Sequence, residues 1–138
     1  MSTFVDIRCE PLMKFARWVF AIAAAYGFLV ITPLYFAEFR IGQADPPAIT
    51  HPEYFFGFIG VTLAWQLVFV MIAREPARYR PIMIAAVVEK AAYGVGTFVL
   101  LGLARVNPSL GLFALIDVAL GVAFLCAFYL TRFEQPAM

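Results

Sequence analysis

Three ionisable side chains, Glu89, Lys90 and Asp117, stand inside long apolar runs of this chain. In hydrocarbon, Asp, Lys or Arg at a helix centre costs about 2.5–3.5 kcal/mol on insertion scales. Groups kept at that cost pair with one another, move protons or hold a ligand. Two acids and one base leave one acid over. That acid must be protonated, hydrated or matched by a partner, which is how proton-handling groups are made. Glu89 and Lys90 are neighbours on one helix, so their side chains leave it about 100° apart. Asp117 is therefore the favoured partner of Lys90, and Glu89 becomes the spare acid. A pair that only pins the helices in register is the simpler alternative, and it binds nothing.

The elements that must carry these groups follow from four apolar runs. Residues 15–36 hold one charge, Arg17, and residues 54–73 hold none. Residues 81–104 are interrupted by Glu89 and Lys90, and residues 110–130 by Asp117. At about 1.5 Å per residue each run covers roughly 30–36 Å. The hydrocarbon core is about 30 Å thick, so each run spans it once. In lipid every backbone N–H and C=O needs an internal partner, which makes the runs helices. The expected architecture is all-α: a single transmembrane domain over residues 1–138, an integral membrane four-helix bundle.

Composition agrees. Of 138 residues 64% are hydrophobic and 14% charged, with a net charge of +1. A soluble domain has roughly 45–50% apolar and 25% charged residues. These figures exclude a soluble enzyme, a disordered chain and a secreted disulfide scaffold, and they give no global attraction to nucleic acid. The first run is longer than a signal-peptide core of about 7–15 residues, so it is read as a retained helix.

Depth along the helices places the polar groups. Counted from the two membrane faces, Glu89 and Asp117 differ by about 8 Å in depth. A lysine side chain reaches most of that distance. Gln66 in the second run falls nearly level with Glu89, Tyr93 with Asp117, and Tyr26 in the first run close to both. Each helix thus brings a polar group to one mid-membrane layer. Asp117 shares its face with Ala114 and Gly121, Glu89 with Ala85, Tyr93 and Gly96, and Gln66 with Thr62. Small residues allow close helix approach, and polar groups bond across the contact. The candidate ligand-binding or proton-handling residues are Glu89, Lys90, Asp117, Gln66, Tyr93 and Tyr26.

The connections carry a second cluster. Residues 37–53 read as a 17-residue loop with Glu38, Arg40, Asp45 and the one histidine, His51. Thr50 and Glu53 have capping-box spacing, with Thr50 as N-cap and Pro52 in the first turn. Asn107-Pro108-Ser109 and Arg80-Pro81 open the last two helices. Glu38, Asp45, His51 and Glu53 match no metal signature, and a solvated loop is the reading preferred to a metal site. Cys9 and Cys126 show no metal or haem spacing. No Ser-His-Asp set, P-loop or dinucleotide fingerprint is present. No cofactor, metal or catalytic residue is assigned, and the balance leans away from an enzyme.

The four-span layout, short basic turn and mid-span acids resemble small four-helix bacterial inner-membrane proteins, including DoxX-like ones. The segment His51-Pro52-Glu53-Tyr54-Phe55-Phe56-Gly57-Phe58 is similar to segments of uncharacterised bacterial proteins. The resemblance implies a multi-pass protein of the bacterial inner membrane. A weaker likeness is to sterol isomerase-type and ligand-receptor domains, which place acids in a lipid-accessible cavity; here these would be Glu89 and Asp117. The histidine that partners those acids is missing from the spans. Small multidrug transporters share size and span number, but their acid stands in the first span, which here has none.

The function expected from the sequence is binding of a membrane lipid, a lipophilic or weakly polar small molecule, or a partner helix, at the mid-membrane layer. A homo-oligomer or a membrane-complex subunit fits the same surface. The alternative is an isomerase-type enzyme or proton-coupled carrier that uses a buried carboxylate. Orientation follows from basic residues. Arg8, Lys14, Arg17, Arg74, Arg78, Arg80 and Arg132 fall on one side, and Arg40 and Arg105 on the other. Both termini should face the cytoplasm. Aromatic belts fit this, with Phe15, Trp18, Tyr79 and Tyr129 inside and Tyr35, Phe36, Tyr54 and Phe55 outside. Reporter fusions at residue 138 and within residues 42–48 should report opposite compartments, and a C-terminus on the outside would overturn the charge argument.

Overall fold

The computed structural model describes residues 3–134, and the side chains of residues 10–132. These residues are all-helical, without a strand. The long helices are α1 (Thr3–Ile31), α3 (Pro52–Arg74), α4 (Ile82–Gly102) and α5 (Leu110–Leu130), and α2 (Glu38–Ala44) is short. Four segments, Glu10–Phe36, Pro52–Arg74, Arg80–Gly102 and Leu110–Leu130, are long and apolar enough to cross a membrane. Their outward faces carry Leu29, Val61, Val88, Leu112 and Val122, all exposed. A continuous apolar exterior of this kind suits lipid rather than water.

The bundle is built from two helix pairs. α4 packs most extensively on α5, and α1 on α3. α1 also meets α5, whereas α3 and α4 touch only lightly. Close approach of α4 and α5 depends on glycine. A Cβ on Gly94 would meet Val118 Cγ2 at 2.7 Å and the Ala114 carbonyl at 3.2 Å. A Cβ on Gly121 would lie 3.4 Å from Lys90 Cβ.

The packed core occupies the half of the bundle nearer the termini. Phe20 stacks on Phe124 with ring centres 4.1 Å apart, and Phe69 meets Phe124 edge-on at 5.0 Å. Ala16, Ala23, Ala24, Ile72, Met83, Ala86 and Ala127 fill the space around them. Small residues on α1 and α4 let three phenylalanines share one interior. The turn between α3 and α4 is fastened to α5 at this end. The Arg80 guanidinium donates to the Phe128 carbonyl at 3.1 Å and lies 3.9 Å over the Phe128 ring.

The connection between α1 and α3 departs from the loop expected of it. A 3-10 turn (Thr32–Phe36) and then α2 occupy most of it. Seven residues are too few for a helical period to stand out in the sequence. The expected capping box does not form either. His51, not Thr50, is the N-cap of α3, and no side chain caps its backbone. Glu53 is drawn instead to His51 Nδ1 at 3.3 Å. Pro52 at the first helical position already removes one donor, so less remains for a cap to satisfy.

The α4–α5 contact yields a direct test. Gly94→Val should destabilise the bundle by about 1–3 kcal/mol through overpacking. Gly96 has open space where its Cβ would stand, so Gly96→Ala should change stability by under about 1 kcal/mol. Unfolding in mixed micelles measures both, and equal effects would contradict this packing.

Candidate functional site

Above the phenylalanine core, in the half of the bundle that carries α2, the four long helices separate around a cavity of about 170 Å³. α1 contributes Tyr26, Gly27, Val30 and Ile31 to its wall, and α3 contributes Phe58, Thr62 and Gln66. α4 adds Glu89, Lys90 and Tyr93, and α5 adds Leu110, Phe113 and Asp117. All six residues singled out from the sequence therefore stand at one cavity. The apolar lining lies towards α2, and the charged residues face the phenylalanine core.

Lys90 is the centre of the charged floor. Its ammonium donates to both carboxylate oxygens of Asp117, each at 3.2 Å. Asp117 is the partner that the helical offset favours. The pair is buried, with side-chain exposures of 6% and 10%, so little water shares in its solvation. Lys90 Nζ also lies 5.6 Å from the centre of the Phe69 ring. The ammonium thus sits where the polar layer meets the aromatic core.

Glu89 differs from expectation in two ways. Its Oε2 comes within 3.5 Å of Lys90 Nζ, although the two side chains leave the helix in different directions. Two long, flexible stems bridge that angle. The contact lacks the alignment of a hydrogen bond, and Oε2 is buried without a hydrogen-bond partner among the described residues. The expected face of Ala85, Glu89, Tyr93 and Gly96 is also displaced. The buried stripe of α4 runs through Met83, Ala86, Lys90, Gly94 and Thr97, and Ala85 is exposed. The close α4–α5 contact through Gly94 turns that stripe towards α5. Glu89 is left at its edge, beside α3.

That edge position has a consequence for access. A groove of about 610 Å³ runs between α3 and α4 on the outside of the bundle, lined by Val61, Trp65, Ala85, Val88 and Ala92. Phe58, Thr62, Glu89 and Tyr93 belong both to this groove and to the cavity. These four side chains, each facing both spaces, form the partition between cavity and exterior. Two of them, Phe58 and Tyr93, stack with ring centres 6.2 Å apart.

Gln66 completes the site on the α3 side. It is fully buried, and its amide nitrogen donates to the Thr62 carbonyl at 2.8 Å. That bond fixes which end of the amide is which. Its Oε1 is left without a hydrogen-bond partner among the described residues. The side chain fits because Gly27 faces it: a Cβ there would overlap the Gln66 amide. The sequence reading missed Gly27, whose signal is the one glycine of the first span, beside Tyr26 and just after Ala23-Ala24-Ala25.

Other candidates do not converge. Glu38, Asp45, His51 and Glu53 form no joint site; His51 meets Glu53, and among the described residues no three His, Cys, Asp or Glu side chains gather. Cys126 is a free, exposed thiol, and the side chain of Cys9 lies outside those described. No protein-family model, curated protein or solved structure matches the chain.

Proposed function

We propose that this chain is a non-catalytic, multi-pass protein of the bacterial inner membrane, with both termini cytoplasmic, that binds a lipophilic or weakly polar molecule in the cavity between its four long helices. The observation that carries the reading is a pair of buried acceptors without a hydrogen bond among the described residues, Gln66 Oε1 and Glu89 Oε2, the second with only the Lys90 ammonium 3.5 Å away, on residues of the cavity wall. An unsatisfied buried polar atom costs roughly 1–3 kcal/mol. A bundle made only for packing would bury apolar groups at these positions, or pair them. Here the two residues that carry the acceptors line a space of ligand size. A cavity of about 150 Å³ in another protein holds benzene, so 170 Å³ accepts a ring or a small head group.

Charge arrangement supports the same reading over a purely structural pair. Lys90 and Asp117 satisfy each other and tie α4 to α5. Glu89 adds nothing that this tie needs. It stands instead at the thin partition that faces the α3–α4 groove, where a molecule dissolved in lipid arrives. Basic residues concentrated at the opposite end of the bundle support the orientation given above.

A small aromatic photoprobe, trifluoromethyl phenyldiazirine, tests occupancy. In nanodiscs it should label Tyr26 and Tyr93 saturably, and Val30→Trp should abolish that labelling by filling the cavity. Labelling of the outward residues Leu29 and Val95 should persist in the variant and report an intact bundle. Labelling that rises linearly with probe and ignores Val30→Trp would overturn the proposal.

A further inference from the structure

Resting on the ligand-binding reading, we infer that the cavity takes an amphiphilic amine, whose ammonium head lies between Glu89 and Gln66 and whose apolar tail leaves between α3 and α4. The hydrogen-bonding groups select the head. Lys90 gives its hydrogen bonds to Asp117. Gln66 Oε1 and Glu89 Oε2, both acceptors, are left without a hydrogen bond among the described residues, and Glu89 Oε2 has only the Lys90 charge 3.5 Å away. An ammonium brings three donors and no acceptor. A ketone, ester or phosphate would leave both acceptors unmet.

Charge favours the same head. Two carboxylates and one ammonium stand at the cavity wall, so the ionised cluster carries one negative charge in excess. A buried charge needs an opposite partner or a proton. A ligand cation meets that need directly, whereas a fatty acid adds a second uncompensated negative charge. An alcohol can serve the acceptors but cannot balance the charge. An amine that arrives uncharged from lipid reaches the same state when one proton passes from a protonated Glu89 carboxyl to its nitrogen. The bond broken is O–H and the bond formed is N–H, with no other reactant.

The wall suits a cation. Tyr26, Phe58, Tyr93 and Phe113 stand around the space. Aromatic faces attract cations, and more strongly when water is excluded. A cavity of about 170 Å³ is too small for a long chain, so the tail must go elsewhere. The α3–α4 side is where helices touch least, and its outer groove is apolar, with Val61, Trp65 and Val88 along it. A tail that parts the stacked Phe58 and Tyr93 rings would lie there, in contact with lipid.

Dodecylamine, dodecanol and dodecanoate share one tail and differ in the head. Each is added to the protein in phosphatidylcholine nanodiscs, and the unfolding midpoint is followed. Dodecylamine should raise it saturably, as a ligand specific to the folded state does. Dodecanol and dodecanoate should give only the small, non-saturating change of bilayer partition. Glu89→Gln should weaken dodecylamine by about tenfold or more, the scale of one charged hydrogen bond. Gln66→Leu should weaken it too, and supplies the same readout if Glu89→Gln does not fold. Equal response to all three probes, or a preference for the acid, overturns the amine assignment and leaves lipophile binding standing. No response to any of them, with cavity labelling by the diazirine retained, does the same. No response together with no labelling overturns both.

Discussion

An ammonium held between two carboxylates in a water-poor layer is the constraint on which the rest of this bundle depends. Lys90 donates to both oxygens of Asp117 and lies within 3.5 Å of Glu89. A lone charge at that depth costs several kcal/mol, and removing one partner of a buried pair exposes that cost. Lys90 and Asp117 stand on different helices, so α4 and α5 must approach closely for the contact to exist. Gly94, Ala114 and Gly121 provide the approach, and α4–α5 is accordingly the most extensive helix contact in the fold. The closeness of that pair then turns the buried stripe of α4 away from α3. The light α3–α4 contact, the marginal position of Glu89 and the groove beside it follow from this one requirement.

The two halves of the bundle serve different ends. Near the termini, Phe20, Phe69 and Phe124 fill the interior against alanines, and Arg80 fastens the α3–α4 turn to α5. Near α2 the helices enclose a cavity instead. Tight packing on one side of the charged layer holds its groups in place, and space on the other side lets them meet something else. Gly27 shows the same division within one residue. It gives the Gln66 amide room to reach its own helix carbonyl, and that bond leaves the amide oxygen against Gly27 without a hydrogen-bond partner among the described residues.

Much of this was legible in the sequence, because lipid imposes strong rules on composition. Span number and approximate ends follow from run length, since an unpaired backbone cannot cross hydrocarbon. The convergence of Gln66, Glu89, Lys90, Tyr93, Asp117 and Tyr26 on one layer follows from counting rise per residue from each face. Four features escaped. Helix rotation escaped, because both Glu89 and Lys90 offered a plausible inward face, and only the glycine contact with α5 decides between them. The cap on α3 escaped, because Pro52 makes the T-x-x-E spacing redundant. α2 escaped, because seven residues between turns carry too little periodicity. Gly27 could have been found by asking which small residue lies level with Gln66.

The most direct measurement is a pair of double-mutant cycles around Lys90, read as unfolding free energy in lipid micelles. One combines Lys90→Met with Asp117→Asn, the other Lys90→Met with Glu89→Gln. If Lys90 is committed to Asp117 and Glu89 is left for a ligand, the first cycle should show a coupling of about 1–3 kcal/mol and the second a clearly smaller one. Membrane contacts fall towards the lower part of that range, because unfolded helices also find partners. Strict additivity in the first cycle, or a larger coupling in the second, would contradict this division of roles.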